Sequence, residues 1–337
     1  MDKLPIKVIY FMRKKGSFFS LERVFDDITL SLSSDVDYSF RYSRFYSKGF
    51  FRRFYDLCTA PFAQGDINHI TGDVHFVSYF LNKNKTILTI HDTGIPGRII
   101  GARHWLYWLF WLRLPSWKCK YIVAISKSTK DSIINLLPDV ADKVKVIPNP
   151  VSTVFTPNFR LFNEVTPRIL HIGVTENKNF ERHLDAVSGL HCTFVIVGEL
   201  TSHQGKLLKA SNVTFKVISG LTNEEMLGQY QLSDIVLFAS TSEGFGLPIL
   251  EGQAVGRPVV TSNIDPMSEV AGGGACLVDP YSSQSIRKGL KRIIENPQYR
   301  SELVSKGFEN IKKYNPAAVA ECYENLYREI INGEAEY

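Results

Sequence analysis

The chain has 337 residues, 44% of them hydrophobic and 22% charged, the proportions of a globular protein with room for two cores. Its five cysteines, Cys58, Cys119, Cys192, Cys276 and Cys322, lack zinc-site or CxxC spacing and fit free thiols in a reducing cytoplasm. No run reaches the ~18–20 apolar residues that span a bilayer, and the first residues lack the apolar segment of a signal peptide. A cytoplasmic protein is expected, with the inner face of the plasma membrane as the one candidate point of attachment. Residues 1–150 hold 22 Lys/Arg against 13 Asp/Glu, a balance of +9, while residues 151–337 hold 17 against 21, a balance of −4. The basic half suits an anionic partner such as a membrane surface or a phosphorylated acceptor.

Along the chain, strand-like runs at 7–11, 86–90, 121–125 and 144–147 form a first series. Gly16 follows the first of them, after the basic run Met12-Arg-Lys-Lys. Asp35-Val-Asp37 lies in a Ser/Asp-rich stretch and reads as a turn, not a metal site. His91 closes the apolar run 86–90. The segment from Arg103 to Arg113, with Trp105, Trp108 and Trp111, reads as a helix with aromatics all round. It either packs on the sheet or, with Arg113, Lys118 and Lys120, docks on a membrane; Arg41, Arg44, Arg52, Arg53 and Tyr55 would extend such a surface. A helix is expected over 126–137.

Three prolines within residues 148–157 stop any helix or central strand, so the linker is placed there. A second series of strands follows at 168–172, 193–197, 213–217, 234–239, 258–261 and 275–279. Helical patterns at 223–231 and 283–295 lie between them, and a last helix at 316–331. Short β-branched runs without strict alternation fit strands buried on both faces, and alternation with helices predicts an α/β, doubly wound parallel architecture.

The informative stretch begins at Ser240 and runs through Glu243-Gly-Phe245-Gly246-Leu247-Pro248 to Glu251. A strand ends, a glycine-bearing loop follows, and Pro248 marks the start of a short helix that Gly256 and Pro258 end. Free backbone N–H groups at a helix start bind phosphate. Carboxylates repel phosphate but accept hydrogen bonds from sugar hydroxyls. A ligand with a phosphate core and sugars on both sides satisfies both, and a nucleotide-sugar is such a ligand.

The stretch from Glu243 to Glu251 resembles the E-x7-E signature of retaining GT-B glycosyltransferases of family four. The segments 172–179, 219–234 and 270–280 resemble the family's landmarks around it, as do Thr89-Ile-His91-Asp92 and residues 123–131 in the first half. The resemblance implies two Rossmann-like domains facing across a cleft: 1–153 binding the acceptor, 154–315 binding the nucleotide-sugar, and 316–337 as a helix crossing back to the first. It implies that Glu251 holds the ribose and Glu243 the donor sugar. The backbone of Phe245, Gly246 and Leu247 would meet sugar or phosphates. Lys178 would neutralise the leaving diphosphate, His91 would contact the sugar near its reacting carbon, and Gly16 would form the first turn beside the diphosphate. Where family members often carry arginine this chain has Val174 and Asn177, which leaves Lys178, Arg182 or Arg13 to meet the phosphate charge.

The reaction expected is metal-independent transfer of a hexose, with retention, from a UDP- or GDP-sugar to a glycan or lipid-linked acceptor in bacterial cell-surface polysaccharide synthesis. No cofactor, metal or nucleic acid is expected. The alternatives are a hydrolase or phosphorylase of nucleotide-sugars on the same fold, and a non-catalytic nucleotide-sugar-binding subunit. Residues 6–20 lack GxGxxG, which speaks against an NAD enzyme.

Overall fold

The computed structural model describes residues 4–16, 19–47, 49–93 and 101–334. Ser17, which follows Gly16, lies outside them, as does the side chain of Arg103. The chain divides into two compact units: residues 1–150 with 316–337, and residues 151–315. The division falls three residues before the sequence-based boundary, because Val151 already donates its N–H to Tyr314 O within the second unit.

Unit 1 carries six strands: β1 (Ile6–Met12), β2 (Val36–Tyr42), β3 (Ile67–Thr71), β4 (Thr86–Ile90), β5 (Tyr121–Ala124) and β6 (Val144–Val146). They run parallel in the order β2-β1-β3-β4-β5-β6. Two of them escape the sequence reading. In β2 only Val36 is buried, as befits an edge strand, and Asp37 pairs with Lys7 in the ladder, so the turn read at Asp35–Asp37 ends at Asp35. β3 is buried along its whole length but carries Asn68 and His69, polar residues that hide it from a search for apolar runs. Burial of these two is tolerated because both are bonded. Asn68 accepts from Gly65 N and donates to Gln64. His69 spans Thr89 Oγ1 at 2.7 Å and Tyr327 Oη at 2.9 Å. Tyr327 lies on the helix Pro316–Glu334, which thus belongs to unit 1, and its hydroxyl also meets Tyr10 Oη at 2.8 Å.

Unit 2 also has six parallel strands: β7 (Arg168–Ile172), β8 (Thr193–Val197), β9 (Thr214–Ile218), β10 (Ile235–Phe238), β11 (Val259–Ser262) and β12 (Cys276–Val278). Their order is β12-β11-β10-β7-β8-β9. Ile169, Phe194, Ile196, Leu237 and Val260 from the sheet pack with Ile286, Leu290 and Ile293 from the helix Ser283–Glu295. Numbered within the unit, the order is the 3-2-1-4-5-6 of a Rossmann sheet, which reverses direction between β7 and β10. In such sheets ligands bind at the carboxyl ends of the two strands flanking the reversal, where the connections diverge and leave a crevice.

Candidate active site

The segments that leave β7 and β10 are the ones that carry the expected donor site, and they are stapled together. After β7, Gly173 takes a φ of +83°, and a side chain there would meet the stem of Lys178 at about 3.0 Å. The glycine is needed because Lys178 lies over it. The Lys178 ammonium then reaches Glu243 Oε1 at 2.6 Å and stands 4.6 Å from the centre of the Phe238 ring. Asn177 donates from Nδ2 to Ser242 O at 2.9 Å and to Glu243 Oε1 at 3.3 Å. Thr241 N donates to Asn177 O at 2.8 Å.

Asn179 closes this staple. It is buried in the left-handed region at φ +63°, where asparagine is the best tolerated residue after glycine. Its Nδ2 donates to Ala239 O and Pro280 O, at 2.9 and 2.6 Å, and its Oδ1 accepts from Arg182 at 2.9 Å. Below it, His183 and His171 meet Nδ1 to Nδ1 at 2.9 Å, both buried, while His183 Nε2 meets Ala239 O at 3.1 Å. Burial lowers both histidines, His183 to about 4, so the pair is neutral near pH 7. One geometry satisfies all three atoms: His183 donates from Nε2 to the carbonyl and accepts at Nδ1 from His171.

The helix Leu247–Val255 starts from Gly246 at φ +111°, and no side chain caps it. Pro248 has no N–H and Ile249 N donates to Gly246 O at 2.9 Å, so the helix start presents the N–H of Leu247 and the positive end of the dipole. Phe245 is buried and turns its ring inward onto Tyr314, 5.9 Å between centres. Glu251 is buried one turn into the helix and accepts a hydrogen bond from Tyr230 Oη at 2.6 Å. Unit 2 thus brings together Lys178, Glu243, Phe245, Gly246, Leu247 and Glu251. Asn179, Gly173 and Tyr230 support them and were not singled out in the sequence, and so does Asn177, marked there only as a departure from the family's arginine. Asn179 had a readable signal, an asparagine directly before a helix.

His91 and Gly16 lie in unit 1. His91 is half-buried at the carboxyl end of β4, and enclosure with Arg13 and His75 nearby lowers it to about 3, so it is neutral near pH 7. Its Nε2 is enclosed, with no hydrogen-bond partner among the described residues. Gly16 has a φ of +80°, and its amide already donates to Glu22 Oε1 at 2.7 Å.

A cavity of about 420 Å³ also lies in unit 2, lined by Arg160, Asp234, Arg257 and Arg300. It sits at the amino ends of β10 and β11, away from the crevice described above. Its arginines are spent on structure: Arg257 donates to Tyr230 O, Gln231 O and Asn158, and Arg300 to Ile293 O, Ile294 O and Glu164.

Two Rossmann-like sheets, one with a cation, two acids and an uncapped helix at its reversal point, define a GT-B glycosyltransferase. Residues 156–310 match the family Glycosyl transferases group 1 and residues 30–155 match Glycosyltransferase Family 4, and the chain belongs to these glycosyltransferases. Among its relatives is the O-antigen chain mannosyltransferase RfbU of Salmonella typhimurium, 26% identical over 250 residues, which make up 69% of this chain and 68% of that protein. The serotype-specific mannosyltransferase WbdA of Escherichia coli is 27% identical over 116 residues, 34% of this chain and 14% of that longer protein. The fold matches Anabaena HepE, solved with UDP and glucose, with a TM-score of 0.77 at 15% identity over 96% of this chain and 100% of that one. WaaG, a glycosyltransferase involved in lipopolysaccharide biosynthesis, matches with a TM-score of 0.71 at 11% identity, over 95% and 99% of the two chains.

Proposed function

We propose that unit 2 binds a nucleoside diphosphate hexose and that the chain transfers the hexose, with retention, to a hydroxyl of a glycan or lipid-linked acceptor in cell-surface polysaccharide synthesis. The observation that carries this reading is the Lys178–Glu243 pair at the reversal point, beside the uncapped start of the helix Leu247–Val255. The diphosphate lies against that helix start and Lys178. Glu243 accepts from the hydroxyls of the transferred sugar, and Glu251 from those of the ribose. In the reaction the bond from the anomeric carbon to the β-phosphate oxygen breaks. A bond to the acceptor oxygen forms on the same face, and the acceptor's proton goes to the departing phosphate. Lys178 and the helix start hold the charge that develops on the leaving group, so no metal is needed, and turnover in excess EDTA measures this directly. For His91 and the Gly16 turn the reading gives roles towards the transferred sugar and its diphosphate, which turnover by His91→Ala measures.

Mannosyltransferases among the relatives and the UDP and glucose bound by HepE favour UDP- or GDP-linked hexoses. A thermal-shift panel of UDP-, GDP- and dTDP-sugars identifies the donor, and the stabilising donor is then offered with an acceptor panel. Stabilisation with transfer is expected. Donor cleavage that proceeds equally without acceptor would instead assign a hydrolase, and binding without turnover a donor-binding subunit.

A further inference from the structure

In unit 1, two neighbouring helices turn apolar residues outward. The helix Phe50–Thr59 and the short turn Ala60–Ala63 after it expose Phe51, Phe54, Tyr55 and Phe62, with Phe51 85% and Phe62 92% exposed. Helical structure continues from Ala102 to Trp117, with π geometry over Trp108–Arg113, and exposes Trp105, Leu106 and Phe110. A helix on the surface of a protein in water normally turns such a stripe inward.

The second helix is held by its backbone as much as by its side chains. Pro115 has no N–H, so the carbonyl four residues before it, on Trp111, and the one five before it, on Phe110, lose the partners that α or π geometry would supply. The turn His75–Phe80 provides both: Trp111 O meets His75 Nδ1 at 2.8 Å, and Phe110 O accepts from Tyr79 Oη at 2.5 Å. Burial lowers the His75 pKa, so the ring is neutral and donates from Nδ1. Anchored in this way, the helix keeps Trp111 on Phe76 and leaves Trp105, Leu106 and Phe110 outside. Arg53 joins the two helices, its guanidinium 4.6 Å from the Trp111 ring, so their outer faces form one surface.

The sequence around this surface is mostly basic: residues 41–63 and 101–120 contain nine Lys/Arg and one acid, Asp56, and from outside these stretches Asp139 pairs with Arg113 at 3.3 Å. Arg44 lies over Tyr55, and Arg113 lies 5.1 and 4.6 Å from the rings of Trp108 and Trp117, which holds cations level with the aromatics. Two copies of this chain meeting through the face would set like charges against each other. An anionic bilayer supplies both complements: a headgroup layer for the arginines and an acyl boundary for Phe and Trp.

We infer that this face docks on an anionic lipid bilayer, with Phe51, Phe54, Trp105 and Phe110 entering the interface and the flanking arginines meeting lipid phosphates. Docking requires no donor, so it stands or falls independently of glycosyl transfer. The test is sedimentation of the full chain with phosphatidylcholine vesicles, either pure or containing about a third phosphatidylglycerol. Wild type is expected to sediment with the anionic vesicles, to be released by high salt, and to stay in solution with the neutral ones. Phe51→Ser with Phe110→Ser is expected to lower the partition roughly tenfold or more with an unchanged circular dichroism spectrum. If that variant fails to fold, the exposed Arg52→Glu carries the same test. Three results would overturn the inference: no sedimentation of wild type with anionic vesicles, equal binding to neutral ones, or variants that bind as wild type does. So would a wild-type dimer, seen by analytical ultracentrifugation, that the same substitutions convert to monomer.

Discussion

The Lys178 ammonium rests 2.6 Å from Glu243 Oε1, with Asn177 completing the contact, so without donor the expected phosphate-binding charge is neutralised by the acid expected to read the sugar. On the proposed function, donor binding would exchange partners, with the diphosphate taking Lys178 and the hexose hydroxyls taking Glu243.

Removing the cation should damage the transition state more than the ground state, because charge on the leaving group grows as the glycosidic bond breaks. Lys178→Ala is expected to lower kcat by about 10²–10³ while the donor KM changes by less than about tenfold. Steady-state kinetics with the identified donor provide the check, and wild-type turnover would remove the role. Glu243→Gln, which keeps a polar group beside Asn177 and releases Lys178, should mainly weaken recognition of the hexose.

Tyr230→Phe removes the hydroxyl that donates to the buried Glu251. The carboxylate loses a fixed partner and its orientation. The nucleotide-sugar Kd should rise about three- to tenfold, the loss of one hydrogen bond's net worth of about 1 kcal/mol. Calorimetry on the variant measures this, and an unchanged Kd would show that Glu251 does not touch the nucleotide.

Asn179 combines a left-handed backbone with two carbonyl partners. Asn179→Ala loses both features and should cost about 2–4 kcal/mol. Asn179→Gly keeps the backbone, loses only the bonds, and should cost less. Denaturant unfolding of the two variants separates conformation from hydrogen bonding, and equal losses would show that the backbone contributes nothing.

His69 and His183 are buried and neutral, lowered by burial to about 3 and about 4. In the unfolded chain both would take up a proton near pH 6.5. Their contribution to stability is therefore complete above that value and is lost as pH falls towards about 4, by up to about 1.4 kcal/mol per pH unit for each histidine. Unfolding midpoints should drop between pH 6.5 and 5, before most carboxylates titrate. His69→Gln, which retains hydrogen-bonding ability, should flatten part of that slope.

Much of unit 2 is legible in the amino-acid order. β7 and β8 coincide with the apolar runs 168–172 and 193–197, and the helix Ser283–Glu295 with its amphipathic pattern, because buried strands and core-facing helices write their burial into local composition. Unit 1 is less so. β3 owes its buried His69 to Tyr327, 258 positions away, and β2 is an edge strand with only one buried residue. The outward aromatics of the helical stretch Ala102–Trp117 could not be assigned a direction from spacing, since their orientation follows from Pro115 and two side chains of another turn. The two acids around Phe245 announce themselves by spacing. Tyr230 does not, and Asn179 shows only as an asparagine before a helix, because their importance lies in carbonyls and carboxylates that only the folded chain brings near.

The helix Pro316–Glu334 belongs to unit 1 although it follows all of unit 2 in the chain. On a ribosome, the first 150 residues emerge without Tyr323 and Tyr327, so the hydroxyl of Tyr10 and Nδ1 of His69 wait for Tyr327 while the contiguous unit 2 is made and folds. Assembly thus proceeds out of genetic order, with the first-made unit finishing last. A chain with unit 2 folded and residues 316–337 not yet docked would hold a completed second unit behind an open first one, a window in which a chaperone has the most to protect.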